Sequence, residues 1–347
     1  MRLLVVKLSS FGDVIHTFPA VTDLREMRSD VEVEWLVEEA FAPFVALHPG
    51  VSRIHTLAFR RLRKPATRWP RLISSTGRLG LDLRAREYDL VVDLQGLLKS
   101  ALPARLAGPV SGYDAESARE PAAARFYRRR FAVPRGMHAV ERSRRLLALA
   151  VGYPPPETPG RFGIVVGGVP DPALGLPARY AMVMHAASWP TKLWPEEYWR
   201  ALLPQMAGAD RGVVLPWGNV EEKARAERLA AGVSGAIVLP RMMAGAELAR
   251  VLAGAELAVG LDSGLMHLAA ALGVPGVWLY GPTDPGLTGP YGEGQRVIRS
   301  AWTKAPCRRR TCSDTPQGDC CMRAIAVEEV AAAVRATSGL STTSLHF

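Results

Sequence analysis

The sequence has no run approaching the ~20 consecutive apolar residues that a membrane-spanning helix needs, which excludes a transmembrane architecture from expectation. Its opening, Met1-Arg2-Leu3-Leu4-Val5-Val6-Lys7, returns to charge after four apolar residues and has no signal-peptide core. The segment reads as a buried first strand, and the chain is expected to be cytoplasmic. Cysteine is scarce: Cys307, Cys312, Cys320 and Cys321 all fall in the last 41 residues. Disulfides are uncommon in a cytosolic chain. The Cys-x4-Cys-x7-Cys-Cys spacing also fits a zinc knuckle poorly, so free thiols and no metal are expected. No G-x-G-x-x-G follows the first strand, and neither G-x-x-x-x-G-K-S/T nor G-x-S-x-G occurs. Dinucleotide oxidoreductases, P-loop kinases and α/β-hydrolases all lose ground. Lysine is rare too, six residues against 37 arginines.

What is present is an ordinary globular composition, 48% apolar and 22% charged, over 347 residues. That length suggests two domains. The net charge of +10 is unevenly placed. Residues 51–150 hold 21 Lys and Arg against eight Asp and Glu, a surplus of +13, while the remainder is at −3. The surplus points to an acidic partner met by one part of the molecule.

Short β-branched runs alternate with helical stretches. Strands are expected at residues 3–6, 33–37, 54–57 and 90–93, with an amphipathic stretch at 14–27 and a helix at 41–46. This order implies βαβ units on a parallel sheet. A Pro- and Gly-dense break over residues 151–180 reads as an interdomain connection enclosing one strand at 162–166. A second α/β series follows, with strands at 181–185, 212–215, 236–239, 257–260 and 276–280, helices at 221–231 and 246–253, and a last helix at 327–336 before a polar tail. The expected domains are residues 1–160, a linker at 161–180, residues 181–325, and a C-terminal helix and tail at 326–347. Ligands of doubly wound sheets sit at the carboxyl ends of the strands.

The candidate residues lie at such ends. After the first strand stands Ser9-Ser10-Phe11-Gly12-Asp13, where Asp13 reads either as a helix cap or as a carboxylate able to take a proton from a substrate hydroxyl. In the second half, Asp262-Ser263-Gly264-Leu265-Met266-His267 runs from a strand into a helix. Its first-turn amides offer an anion site, which would leave Asp262 free for sugar hydroxyls; a plain cap is the alternative. A second loop, Gly281-Pro282-Thr283-Asp284-Pro285-Gly286, follows the next strand, and the two together suggest a nucleotide-diphosphate site. Lys192 is placed to neutralise a diphosphate. Trp217-Gly218 opens a helix whose Glu221 or Glu222 suits either ribose hydroxyls or a solvated first turn, and Met242 suits either a base or the core. The basic segment includes Arg60, Arg61, Arg63, Lys64 and a cluster from Arg125 to Arg135. It carries no nucleic-acid reading module. It suits a solvated face or the phosphates of an anionic lipid headgroup.

Taken together these segments resemble a known family. Residues 1–20, Trp35-Leu36-Val37-Glu38-Glu39, Asp93-Leu94-Gln95-Gly96-Leu97-Leu98-Lys99-Ser100, Ala118-Arg119-Glu120-Pro121 and His138-Ala139-Val140-Glu141-Arg142 are similar to the lipopolysaccharide heptosyltransferases of glycosyltransferase family 9. So are Lys192-Leu193-Trp194-Pro195, Leu215-Pro216-Trp217-Gly218, the Asp262–His267 stretch and the Gly-Pro-Thr-Asp loop. The resemblance covers residues 1 to about 300. It implies an α/β, GT-B enzyme with two Rossmann-like doubly wound domains facing a central cleft, acceptor on the first and nucleotide sugar on the second. It further implies ADP-heptose as donor, Kdo-lipid A at the cytoplasmic face of the inner membrane as acceptor, inversion at the anomeric centre, and no cofactor, metal or nucleic acid. Transfer of the second heptose, or a non-catalytic basic binding protein, are the alternatives.

By the same resemblance Asp13 matches the general base and Lys192 a catalytic donor-site cation. Ser188, Trp217, Gly218, Glu222, Met242, Asp262, Ser263, Gly264, His267 and Thr283 fall in the donor site. Ser9, Ser10, Gly12, Arg60, Arg61, Arg63, Lys64, Gln95, Arg119 and His138 fall in the acceptor site. The family has Thr-Thr where this chain has Ala187-Ser188, so one hydroxyl near the phosphates is missing. The Cys307–Cys321 stretch also departs from the family pattern.

Overall fold

Leu3, Leu4, Val5 and Val6 of the first strand, β1 (Arg2–Val6), are fully buried. A parallel strand covered by helices on both faces requires such a continuous apolar run. The computed structural model describes residues 1–58, 69–208, 211–313 and 320–338, with side chains from residue 77 in the second span and from Cys321 in the last. It divides into two compact units, Met1–Val165 and Val166–Phe347.

In the first unit β1 is followed by β2 (Glu32–Glu38), β3 (Val51–Leu57), β4 (Leu90–Asp93), β5 (Val110–Tyr113) and β6 (Tyr127–Phe131). They form one sheet in the order β3-β2-β1-β4-β5-β6, every pair parallel. The second unit repeats the plan with β7 (Tyr180–Met184), β8 (Gly212–Leu215), β9 (Ala236–Val238), β10 (Leu257–Leu261), β11 (Gly276–Tyr280) and β12 (Gln295–Arg299). Its order is β12-β11-β10-β7-β8-β9, again all parallel. In each sheet the strand order switches beside its first strand, and in sheets of this kind ligands bind at the carboxyl ends there, here those of β1 and β4 and of β7 and β10.

The last helix, Val327–Ser338, belongs to the second unit's core: Val330, Ala331 and Val334 pack with Trp194, Trp199 and Leu202. The expected tail lies outside the described residues, as do Arg60, Arg61, Arg63 and Lys64. The amphipathic stretch at 14–27 is two helices, Phe11–Ile15 and Phe18–Met27, the second beginning just ahead of Pro19. No strand forms at residues 162–166. There Gly163 takes φ +63 and the chain lies against the first unit, with Val165 N–H donating to Leu47 O at 3.1 Å.

The basic surplus is partly internal. Arg144 is buried, its Nε 2.6 Å from Asp23 and its Nη1 3.0 Å from Glu141. Arg128, Arg129 and Arg130 are exposed on β6, the edge strand, where charge also guards against unwanted strand pairing. Among the described residues no helix is long and apolar enough to cross a membrane.

Candidate active site

In the first unit the loop after β1 turns into the helix Phe11–Ile15 with Ser10 as its cap. Asp13 fills the capping role expected of it. Its Oδ2 accepts from the Ser10 N–H and the Ser10 hydroxyl, each at 2.9 Å, and thereby closes the helix start. The same oxygen lies 3.4 Å from Arg119 Nη1. Lys7 is buried beside this group, with Nζ donating to Leu94 O at 2.9 Å. Burial works to raise the Asp13 pKa, but Lys7, Arg119 and the Ser10 hydrogen bonds outweigh it and hold the carboxyl below its ordinary range. Lys7 moves the other way: burial pulls it down to about 8 against the opposing attraction of Asp13.

Gln95, just past β4, anchors the neighbouring backbone. Its Oε1 accepts from Leu8 N–H at 2.8 Å and Ser9 N–H at 3.4 Å. Its Nε2 is buried with no acceptor among the described residues, a costly state unless a ligand oxygen completes it. Lys99 Nζ donates to Ser9 Oγ at 2.5 Å, and the Arg142 guanidinium covers the Tyr113 ring at 4.7 Å. His138 caps the helix Ala139–Val151, Nδ1 accepting from Val140 N–H, and its ring meets His16 edge-on at 5.3 Å. Ser9, Ser10, Gly12, Asp13, Gln95 and Arg119 are thus gathered by the carboxyl ends of β1 and β4. Sequence reasoning did not single out Lys7 or Lys99, although lysine's rarity, applied to Lys192, marks them equally.

In the second unit three of the residues expected at the donor, Lys192, Thr283 and His267, converge on Asp262, directly after β10. Lys192 Nζ lies 2.5 Å from its Oδ2 and 3.2 Å from its backbone carbonyl. Thr283 Oγ1 donates to Oδ2 at 2.7 Å, and Tyr280 Oη and His267 Nε2 each lie 3.4 Å from Oδ1. The expectation that Asp262 is free for sugar hydroxyls is therefore corrected: both oxygens are committed inside the site. Burial opposes its ionisation, yet His267 and Lys192 overcome it and keep the carboxyl well below the usual range. Next to it Ser263 caps the helix Gly264–Ala271, and its Oγ is buried with no partner among the described residues. A hydroxyl and amides at a helix start, with a lysine nearby that has a third N–H to give, are groups able to receive an anion.

The other residues expected at the donor follow β7, β8 and β9. Ser188 is exposed after β7. Trp217 Nε1 donates to Leu239 O at 2.6 Å, which fixes the indole beyond β8. The Glu222 carboxylate accepts from Gly218 N–H at 2.8 Å and is thereby held at its helix start. Met242 is 59% exposed, so it is not core. Cys307, Cys312 and Cys321 form no disulfide, and the described residues hold no cluster of three metal-ligating side chains.

A family model described as glycosyltransferase family 9 (heptosyltransferase) matches residues 76–317. The chain belongs to glycosyltransferase family 9. Lipopolysaccharide heptosyltransferase 1 of Pseudomonas aeruginosa PAO1 is 48% identical over 319 residues, 91% of this chain and 88% of that protein. The Escherichia coli heptosyltransferase WaaC, solved with ADP, matches with a TM-score of 0.83 and 39% identity over 97% of this chain and 100% of that one. Its complex with ADP-2-deoxy-2-fluoro heptose gives 0.82 and 38%, over 97% and 99%. Lipopolysaccharide heptosyltransferase 2 of E. coli K12 is 37% identical over 114 residues only, 32% of this chain and 33% of that protein. The family 9 enzyme thus has the two Rossmann-like units of the GT-B class, and it is a glycosyltransferase.

Proposed function

We propose that this glycosyltransferase moves L-glycero-D-manno-heptose from ADP-heptose to the Kdo of Kdo-lipid A, with inversion, in lipopolysaccharide inner-core synthesis. The observation that carries the reading is Asp13, a carboxylate kept ionised by Lys7 and Arg119 at the carboxyl end of β1. Inversion by one displacement needs one base on the acceptor hydroxyl, and Asp13 is that base. The surrounding cations suit an acceptor that itself carries carboxylate and phosphate. On the donor unit the diphosphate lies against Ser263 Oγ, the Gly264 amide and the third N–H of Lys192, which stabilise the charge that develops on departing ADP. Trp217 and Met242 flank the adenosine. The acceptor belongs to residues 1–160 and the donor to residues 181–325.

The sequence match to heptosyltransferase 1, at 48% identity, runs through both units, whereas the match to heptosyltransferase 2, at 37%, covers a third of the chain, which favours the first heptose over the second. Mass spectrometry with two acceptors tests this. Kdo-lipid A should become one heptose heavier, and an acceptor already bearing that heptose should stay unchanged; the reverse pattern sinks the reading.

The acceptor's lipid places the enzyme on the cytoplasmic face of the inner membrane as a peripheral protein, docked by its basic segment. Replacing Arg60, Arg61 and Arg63 by Ala should raise KM for the membrane-bound acceptor severalfold and leave KM for ADP-heptose alone. A second check comes from Lys7. With its pKa near 8, it loses its charge as pH climbs past that value. Acceptor KM should therefore rise on the alkaline side while donor KM stays flat, and a flat acceptor profile to pH 10 would remove Lys7 from the site.

A further inference from the structure

The cysteine-bearing stretch that departs from the family pattern is tied to both donor loops of the second unit. Arg308 N–H donates to Pro282 O at 2.7 Å, and its guanidinium lies 3.6 Å from Asp284 Oδ2. Thr191 Oγ1 donates to the carbonyl of Arg309 at 2.8 Å. The Arg310 guanidinium sits 5.0 Å from the centre of the Trp189 ring, and Lys192 Nζ lies 4.9 Å from the same centre. Arg308 holds φ +56, a left-handed conformation unusual for a side-chain-bearing residue. Backbone strain of this kind persists where surrounding contacts over-determine it, commonly at ligand sites.

Charge decides what the stretch is for. Lys192 is neutralised by Asp262, 2.5 Å away, so the pair brings little net positive charge to a leaving diphosphate. Arg310 is exposed and has no carboxylate within ion-pair distance among the described residues. It shares the Trp189 ring with Lys192 and, among the described residues, is a cation with no acidic partner. A guanidinium held over an indole has less conformational freedom to lose when its fork of donors meets a phosphate.

We infer that Arg310 is a phosphate clamp for the donor, held in place by the Arg308 backbone and by Trp189. The inference rests on the ADP-heptose reading and extends it to residues outside the family motifs. The clamp binds the diphosphate of the nucleotide sugar and of the ADP product, and it supplies the positive charge that the Asp262–Lys192 pair lacks.

The test is calorimetric titration of the full-length protein with ADP, adenosine and inorganic pyrophosphate, comparing wild type with R310A and R310K. R310A should weaken ADP and pyrophosphate about 10- to 100-fold, the loss of one charge-assisted contact, and leave adenosine unchanged. R310K should recover part of the loss, since charge survives and the fork does not. Equal weakening of ADP and adenosine by R310A would mean that Arg310 only packs against Trp189, and no weakening at all would mean it is idle; either overturns the clamp. A wild type that binds pyrophosphate in an Arg310-dependent way but ignores ADP would refute the donor reading and keep the clamp. A wild type that binds neither refutes both.

Discussion

Asp13→Asn is expected to lower kcat by about 10²–10⁴-fold, the usual worth of a positioned general base, with KM for ADP-heptose little changed. The amide keeps the volume of Asp13 and can still accept from the Ser10 N–H, now 2.9 Å from the carboxylate, so the helix start survives. Asp13→Ala removes that cap as well and should add about 1 kcal/mol of destabilisation. A second consequence separates loss of the base from general damage. Asp13 raises the pKa of Lys7 against the pull of burial. Without the carboxylate, the alkaline rise in acceptor KM should begin at lower pH. In the wild type, Lys7, Arg119 and Ser10 keep Asp13 ionised below the normal carboxylate range, so the acid limb of kcat/KM that reports Asp13 should lie below about pH 4. An acid limb near pH 6 would assign the base to another group. Steady-state kinetics from pH 3 to 10 on the wild type and both variants reads all three effects.

The second large effect concerns Lys192. Lys192→Met leaves the Asp262 carboxylate, whose side chain is 8% exposed, without its counter-ion. Breaking a buried pair costs about 3–5 kcal/mol. Thr283, His267 and Tyr280 still donate toward Asp262, which puts the expectation at about 3 kcal/mol, or about 6–12 °C in the melting of the second unit. The Lys192→Met/Asp262→Asn double variant should regain part of that stability, because no charge is then stranded. The pH dependence has a fixed sign. The Asp262 pKa is depressed in the folded chain, so its contribution is present above the unfolded carboxylate value near 4 and fades as pH falls toward the folded value. The melting gap between wild type and Lys192→Met should narrow below about pH 4. Transfer should drop about 100-fold in kcat as the leaving diphosphate loses a donor. A Lys192→Met variant as stable and as active as wild type would show that the pair is incidental.

The parts of the fold that the sequence made legible are those whose chemistry is local. The inner strands β1, β4, β10 and β11 are apolar runs followed by Gly, Ser or Asp, and both their position and the loops after them could be read directly. Three strands escaped. β5 is Val-Ser-Gly-Tyr, too small and polar to stand out; β6 is Tyr-Arg-Arg-Arg-Phe, an edge strand with solvated arginines; β12 is an edge strand of mixed character. The opposite error fell at residues 162–166, where a β-branched run has no ladder to join. Gly112 shows why such contacts stay hidden. A Cβ there would lie 2.5 Å from the Tyr127 ring, so the ring packs over bare backbone and its hydroxyl reaches Asp93 at 2.7 Å.

The site divides in the same way. Asp13, Ser263 and Gly264 were legible because strand ends and helix starts are local features. The commitment of Asp262 to Lys192 was not, because 70 residues separate them. Nor was the approach of Arg310 to Trp189, which depends on a loop that follows the last strand. The surplus charge was legible as a number, but not which arginines are internal: Arg144 counts toward the total and is spent on Asp23.

The most direct measurement of the central claim is the anomeric configuration of the new glycosidic bond, read by NMR on product made from ADP-L-glycero-β-D-manno-heptose and Kdo-lipid A. A single displacement with Asp13 as base gives the α-linked product. A β-linked product would require two displacements through a covalent intermediate, and it would contradict the role of Asp13 as the base of a single inverting step.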